Sequence, residues 1–432
     1  MNSLEKATED FEHAPVPDHS TVTGWRISVV KIGTVIALPA FMTGAQLGAA
    51  LGLKTAFYAM IVGGIILGVI AALTGTVAAR SRLPTAMINQ FVFGQQGAKV
   101  VNAVLAISLL GWFGVTASLF GTTLRNVLSN TAGLQFSAQL YMVFGGVLMV
   151  VTTIFGFQAL KRLSGVIVPV LFVSLVGVVI VSVRRTSLDQ LLAFQGKGMP
   201  FGVAVSAVVG GLIISATIFP DICRFARNTG HALLASVLGF VVAIPVVLIV
   251  GAIPSVATGE NDLFRIMMDL GLALPALIIL VFAAWTTNSG NLYSSSLGLS
   301  GIFSKTPKWM LCIAAGALGT VLAISGIIDN FIPLLVLLGI AIPPIAGIYV
   351  ADFFLVRGQR YELEALYARQ PYSIPAFAVW VIAIAVAYAT SKDLFEITGM
   401  AALDSIGVAF FLYALVMRFS KPAHSASIRE QD

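Results

Sequence analysis

Lys31-Ile-Gly-Thr-Val-Ile-Ala-Leu-Pro39-Ala-Phe41-Met-Thr-Gly44-Ala-Gln46-Leu-Gly48 is the stretch that decides the fold. It is apolar enough to lie in hydrocarbon, yet Pro39 removes a backbone donor and its ring crowds the preceding turn. Gly44 and Gly48 are expected to soften the helix beyond. Carbonyls freed at membrane depth survive only beside protein partners or a polar cavity. Two readings follow: a simple proline kink, or a span broken into two half-helices.

The rest of the chain agrees that the solvent is lipid. Hydrophobic residues make up 58% of the 432, and only 10% are charged, against roughly 25% in ordinary globular proteins. So few charges could not cover a water-soluble particle of this size. Runs of about 20 apolar residues cross a bilayer as helices. Twelve such runs lie near 27–51, 56–79, 99–122, 138–157, 163–183, 201–223, 232–257, 267–292, 309–326, 331–355, 372–389 and 398–417. Their continuity excludes the ten-residue alternation of an outer-membrane barrel. The expected organisation is an all-α integral membrane protein. Residues 1–25 form a solvated N-terminal tail without a cleavable signal, 26–356 a core of spans 1–10, and 357–371 a loop. Spans 11 and 12 fill 372–417, and 418–432 form a C-terminal tail.

Basic residues set the orientation. With both tails in the cytoplasm, the inner segments hold Lys6, Arg26, Lys31, Arg80, Arg82, Lys99, Lys161, Arg162, Arg224, Arg227, Lys305, Lys308, Arg357 and Arg360, among others. The outer loops hold Lys54, Arg125, Arg184, Arg185, Lys197, Arg265 and Lys392. The imbalance places the chain in a cytoplasmic (inner) membrane with both termini inside. The net charge of +6 is scattered through loops without interleaved aromatics, which argues against nucleic acid. Cys223 and Cys312 have neither metal-ligand nor disulfide-framework spacing.

Inside the spans, ionisable groups are scarce. Asp221, Asp269, Asp329, Asp352 and Asp404 fall toward span ends and none is mid-span. A fully charged substrate would lack a fixed counter-ion, so a neutral one is expected, and any coupled cation must be held by neutral oxygens. The sixth span repeats the signs of a break in Gly210-Gly211-Leu-Ile-Ile-Ser215-Ala-Thr217-Ile-Phe-Pro220-Asp221. Interrupted helices at corresponding places of two halves mark a transporter's binding site. The eighth span carries Ala283-Ala-Trp285-Thr286-Thr287-Asn288-Ser-Gly-Asn291. Its paired hydroxyls, with kink carbonyls, make a neutral oxygen set suited to Na⁺. The competing reading is that the hydroxyls bond their own helix or glue helices together. At the centre of the third span, Gly111-Trp112-Phe113-Gly114 offers an indole on which a planar ring can stack, unless Trp112 only packs.

In order and spacing these pieces resemble the nucleobase:cation symporter-1 family, of the purine/cytosine permease type. The matching residues are Thr43-Gly44-Ala45-Gln46-Leu47-Gly48, Phe91-Val92-Phe93-Gly94 and Gly111-Trp112-Phe113-Gly114-Val115. They continue with Asp221 and Arg224-Phe225-Ala226-Arg227-Asn228, with Trp285-Thr286-Thr287-Asn288 and Leu292-Tyr293, and with Ile342-Pro343-Pro344, Gly347 and Ala351-Asp352. The resemblance implies a five-plus-five inverted-repeat core like that of the bacterial leucine transporter, with two peripheral helices. It implies uptake by alternating access with Na⁺, or H⁺ in its place. Carried over by position, the Na⁺ ligands are the carbonyls of Ala37, Ala40 and Ala283 and the hydroxyls of Thr286 and Thr287, and the stacking residue is Trp112.

The polar contacts of cytosine permeases are not matched. Leu109 stands where they have a glutamine, Gly211-Leu212 where they have Ser-Phe, and Ala283 where they have asparagine. An unpaired buried polar edge costs about 1–3 kcal/mol, so cytosine itself is a poor expected ligand. Gln46, Ser215, Asn288 and Asn291 remain to read polar edges, and Phe41 to replace the lost ring. The expected function is import of a small planar heterocycle; an amino-acid or other small-solute transporter on the same scaffold is the alternative. The chain carries neither HExxH nor GxSxG and no mid-span histidine, so an enzyme is not expected, nor is an obligate protein partner.

Overall fold

The computed structural model describes residues 8, 10–260, 265, 267–268, 271–330, 338–367, 370–395 and 397–419. Helices dominate these residues, and the sole extended pairing among them is an isolated bridge between Val22 and Ala226. The first apolar stretch forms α1 (Gly24–Val35) and α2 (Leu38–Leu51), followed by α3 (Leu53–Ser81), α4 (Thr85–Phe93) and α5 (Gly97–Ala132). Next come α6 (Ala138–Thr153), α7 (Gly156–Arg185), α8 (Leu188–Ala193), α9 (Phe201–Thr217) and the single turn α10 (Pro220–Cys223). Helix α11 (Thr229–Thr258) contains a π-helical turn at Val237–Val242. The chain continues through α12 (Ala273–Ile302), α13 (Lys308–Ile324), α14 (Leu338–Val356), α15 (Leu363–Tyr367), α16 (Ile374–Ser391) and α17 (Ala401–Phe419).

Seven of the described helices are long and apolar enough to cross a membrane, and the α1–α2 pair makes an eighth. Shorter apolar helices α6, α9 and α13 complete the bundle. The start of the expected tenth span (331–337), Asp269 and tail residues 420–432 lie outside the described residues. Helix α12 begins later than the apolar run suggested and ends later. Serines in its last turns are buried, Ser296 donating to the Tyr293 carbonyl and Ser300 to that of Ser296. The buried α4, between the second and third spans, was not foreseen.

Two expectations are corrected. Gly44 and Gly48 do not loosen α2; they let it press against α11. A Cβ on Gly44 would stand 2.0 Å from the Leu248 carbonyl oxygen, and one on Gly48 would stand 2.9 Å from the Ala252 methyl. From the other side, a Cβ on Gly251 would meet the Phe41 carbonyl at 2.3 Å. This is the small-residue packing by which membrane helices bring their backbones together.

Nor are residues 10–22 a solvated tail. Val16 and Val22 are buried. The Val16 N–H donates to Arg82 O, the Val22 N–H to Phe225 O, and the Arg227 N–H to Val22 O. Asp10 is 3% exposed and sits between Arg224 Nη2 and Lys308 Nζ, each 3.1 Å from its Oδ2. The Phe157 N–H donates to its Oδ1. Arg224 further donates to the carbonyls of Asp10 and Phe11 and to the Tyr293 hydroxyl.

Three of the span-end acids serve the scaffold. Asp221 accepts from the Thr85 N–H at the start of α4. Asp352 accepts from Arg357 Nε, the Tyr361 hydroxyl and the Tyr413 hydroxyl, joining α14 to α17. Asp404 accepts from Thr390, Ile397 and Thr398 and so holds the turn before α17.

Candidate functional site: two broken spans and an oxygen-lined gap

The first span is broken, not merely kinked. Its halves meet at 68°. Ile36 (φ −69°, ψ 85°) and Ala37 (φ −130°, ψ 146°) leave helical geometry between them. Pro39 falls in the first turn of α2, where its missing N–H has no intrahelical partner to lose and its fixed φ suits a helix start. The proline therefore begins the second half-helix. The sixth span is interrupted more mildly: α9 ends at Thr217, a turn at Ile218 and Phe219 keeps near-helical angles, and Pro220 opens α10.

The freed carbonyls of the two breaks meet different fates. At the sixth, the Tyr349 hydroxyl donates to Thr217 O at 2.6 Å and the Thr74 hydroxyl to Ala216 O at 2.9 Å. Those oxygens are consumed by the scaffold. At the first, the hydroxyl of Thr287 on α12 reaches across to Thr34 O at 3.3 Å and Ile36 O at 3.2 Å. Helix α12 can come this close because Gly290 has no side chain; a Cβ there would lie 2.6 Å from Thr34 Cγ2. One proton shared between two carbonyls leaves this gap rich in unclaimed lone pairs.

The expected ion ligands are distributed unevenly around that gap. Thr287 is in it. Thr286, one residue earlier, donates to its own helix at Phe282 O (2.9 Å) and Ala283 O (3.2 Å), which is the back-bonding alternative weighed from the sequence. The Ala283 carbonyl thus sits beside Thr286. The Ala37 carbonyl accepts from the N–H groups of Ala40 and Phe41 and so caps α2. Ala40 lies inside α2, past the break. The carbonyls at the gap are those of Thr34 and Ile36, which the alignment by motif passed over. A proline marks where a helix resumes, and the open carbonyls belong to residues before it.

The substrate candidates also divide. Asn288 is fully buried and its Nδ2 donates to Phe113 O at 3.0 Å, beside Trp112; Asn291 Nδ2 donates to Asn288 Oδ1 at 3.2 Å. Half-buried Trp112 packs against the core group that contains Leu109 of the third span and Ile214 of the sixth. Gly211 faces open space, since a Cβ there would meet nothing within 4 Å, and Leu212 is half-buried. Ser215 is joined to Lys31, whose Nζ donates to its hydroxyl. By contrast Phe41 is buried in the other core group, with its backbone against Gly251, and Gln46 is exposed on α2. Neither is brought to Trp112.

Lys31 is the residue that sequence reading misplaced. It was counted with an inner loop, yet it lies in α1 with 2% of its surface exposed. The available signal was its position between Val30 and Ile32, inside the apolar run.

An all-helical bundle with two interrupted spans, neutral oxygens at one break and a half-buried indole nearby defines a broken-helix membrane transporter. Comparisons with known proteins agree. Residues 15–412 match the family described as permease for cytosine/purines, uracil, thiamine, allantoin. The cytosine permease of Escherichia coli K12 is 31% identical over 357 residues, covering 82% of this chain and 83% of that one. Among solved structures, Mhp1, a nucleobase-cation-symport-1 family transporter with bromovinylhydantoin bound, superposes with a TM-score of 0.84 at 22% identity over 95% of each chain. A Na⁺-coupled sialic acid symporter gives 0.68 at 13% identity, covering 96% of this chain and 95% of that one. The chain belongs to the nucleobase:cation symporter-1 family of permeases, a family of multi-pass transporters rather than enzymes.

Proposed function

We propose that this protein imports a small planar nitrogen heterocycle across the cytoplasmic membrane by alternating access, with Na⁺ as the coupled ion and H⁺ as the alternative. The observation that carries the reading is the hydroxyl of Thr287 meeting the Thr34 and Ile36 carbonyls at the break of the first span. Neutral oxygens alone suit a hard monovalent cation, and a half-helix end beside unwound carbonyls is how transporters of this architecture replace an ion's water. Thr34, Ile36 and Thr287 would hold the ion. Thr286 would join by turning from its own helix, and Ala37, Ala40 and Ala283 supply the neighbouring backbone.

The proposed architecture is twelve spans with both termini cytoplasmic, the first ten forming two inverted repeats of five and the last two peripheral. Trp112 is the stacking platform, with Asn288 and Asn291 on one side and Gly211, Leu212 and Leu109 shaping the apolar wall. Ion and substrate tighten each other reciprocally because both favour the same arrangement of α1, α9 and α12.

Uptake of labelled heterocycles into proteoliposomes with an imposed Na⁺ gradient tests this reading. Wild-type accumulation should follow the gradient, and Thr287→Ala should lose most of it while still reaching the membrane. Uptake indifferent to Na⁺, with Thr287→Ala equal to wild type, would discard the ion assignment. Stacking is worth ~1–3 kcal/mol per base, so Trp112→Ala should weaken substrate binding about 5- to 150-fold by equilibrium titration. Unchanged affinity would remove the platform.

A further inference from the structure

The Lys31 side chain lies in a slot built by three separate elements. Its stem fills the space opposite Gly239, where a Cβ would meet Lys31 Cγ at 2.5 Å and Cβ at 3.0 Å. Gly239 belongs to the π-helical turn Val237–Val242 of α11, and such turns concentrate at functional sites. From the same turn, the Phe240 ring covers the ammonium with its centroid 4.3 Å from Nζ. The third wall is α9, through the hydroxyl of Ser215.

What the slot lacks is a counter-charge. An ammonium has three donors; Ser215 takes one, Phe240 presents a ring face, and no further acceptor is found among the described residues. Besides Lys31, the charged and titratable groups on α1 and on the helices α7, α11 and α12 packed against it are Arg26, Lys161, Arg162, Arg184, Arg185, His231 and the phenol of Tyr293. None is a carboxylate. Within the membrane an ionisable group left without a partner inside the protein is costly and marks a pathway.

The walls of this slot belong to the same helices as the site already described. Gly211 is one turn before Ser215 on the same face of α9, and a Cβ there would meet nothing within 4 Å. Along α1, Thr34 is one turn beyond Lys31, its hydroxyl donating to Lys31 O at 2.8 Å while its own carbonyl receives Thr287. Along the backbone, the carbonyl of Thr34 at the break is about one helical turn from Lys31. A substrate entering between α1 and α9 would face positive charge twice.

We infer that Lys31 is a substrate-reading residue whose ammonium is the fixed counter-charge for an acidic nitrogen heterocycle carried as its anion, a ring bearing a carboxylate or a deprotonated imide. This rests on the heterocycle-transporter reading and reverses the expectation of a neutral substrate, which assumed that no charge was buried in the spans. The apolar Leu109 and Leu212 and the bare Gly211 fit a ring held at one charged edge and packed elsewhere.

The experiment is equilibrium binding to the purified full-length protein, using orotate as the carboxylated probe and uracil as its neutral counterpart. Wild type should prefer orotate. Lys31→Met, which keeps the stem's bulk, should weaken orotate by about tenfold or more, since truncating one partner of a buried charge pair is expensive, and leave uracil within about twofold. Lys31→Arg should recover part of the orotate affinity. A wild type that prefers uracil overturns the inference without any variant, as does a folded Lys31→Met that binds orotate unchanged; in both cases the heterocycle reading survives. Binding of neither probe, nor of any other heterocycle, would overturn that reading and the inference with it.

Discussion

Asp10→Ala is expected to be among the most destabilising single changes outside the binding region. It would leave Arg224 and Lys308, 0% and 1% exposed in their side chains, buried without their shared carboxylate. Breaking a buried pair by removing one partner costs about 3–5 kcal/mol, and here two cations are orphaned together. The thermal midpoint of the protein in mild detergent should fall sharply. Arg224→Met should fall comparably, and the double variant by less than the sum, because both changes act on one network. An unchanged midpoint for Asp10→Ala would mean that the N-terminal segment does not hold this end of the bundle. The physical point is that the strap formed by residues 10–22 is an internal part of the bundle, fastened through Asp10 to α7, the turn after α10, and α13.

Gly44→Val should have an effect as large by a different route. The added carbon would stand within 2.0 Å of the Leu248 carbonyl oxygen. That atom is backbone on a packed helix and cannot rotate aside. Overpacking typically costs about 1–3 kcal/mol, occasionally more, and displacing backbone belongs at the upper end. Folded yield and detergent midpoint should both drop. Gly165→Ala in α7, where a Cβ meets nothing within 4 Å, is the matched control and should be neutral or mildly stabilising, since alanine is the better helix former by about 1 kcal/mol. Equal behaviour of the two variants would contradict the close approach of α2 and α11.

These results bear on what local reading could and could not reach. Pro39 marked where the first span is interrupted, because a proline's geometry is a property of one residue and its neighbours, but it left a kink and a break both open. Assigning the open carbonyls was harder. Ala37 and Ala40 were named from motif position, but the oxygens facing Thr287 are those of Thr34 and Ile36, because α1 must stop before the chain turns by 68°. The glycines of α2 were read as softeners since nothing in the stretch itself shows that Leu248 and Gly251 lie against it. The polar run of α12 stood out by its density, with back-bonding as the competing reading. That Thr286 turns inward to its helix while Thr287 turns outward depends on which face α1 covers.

By itself the amino-acid order determined the solvent, the helical class, the interrupted first and sixth spans, the unusual polar run of the eighth and the family. The first four follow from composition and from spacing within about twenty residues, the distance over which backbone donors, prolines and apolar periodicity act; the family follows from the resemblance of motifs ordered along the chain. Only the tertiary structure decided that Lys31 is interior, that Asp10 neutralises two cations some 210 to 300 positions away, and that the carbonyls of one break are consumed while those of the other stay available. Each of these is a pairing between distant segments, and the free energy of a buried charge or an open carbonyl is set by what packs against it.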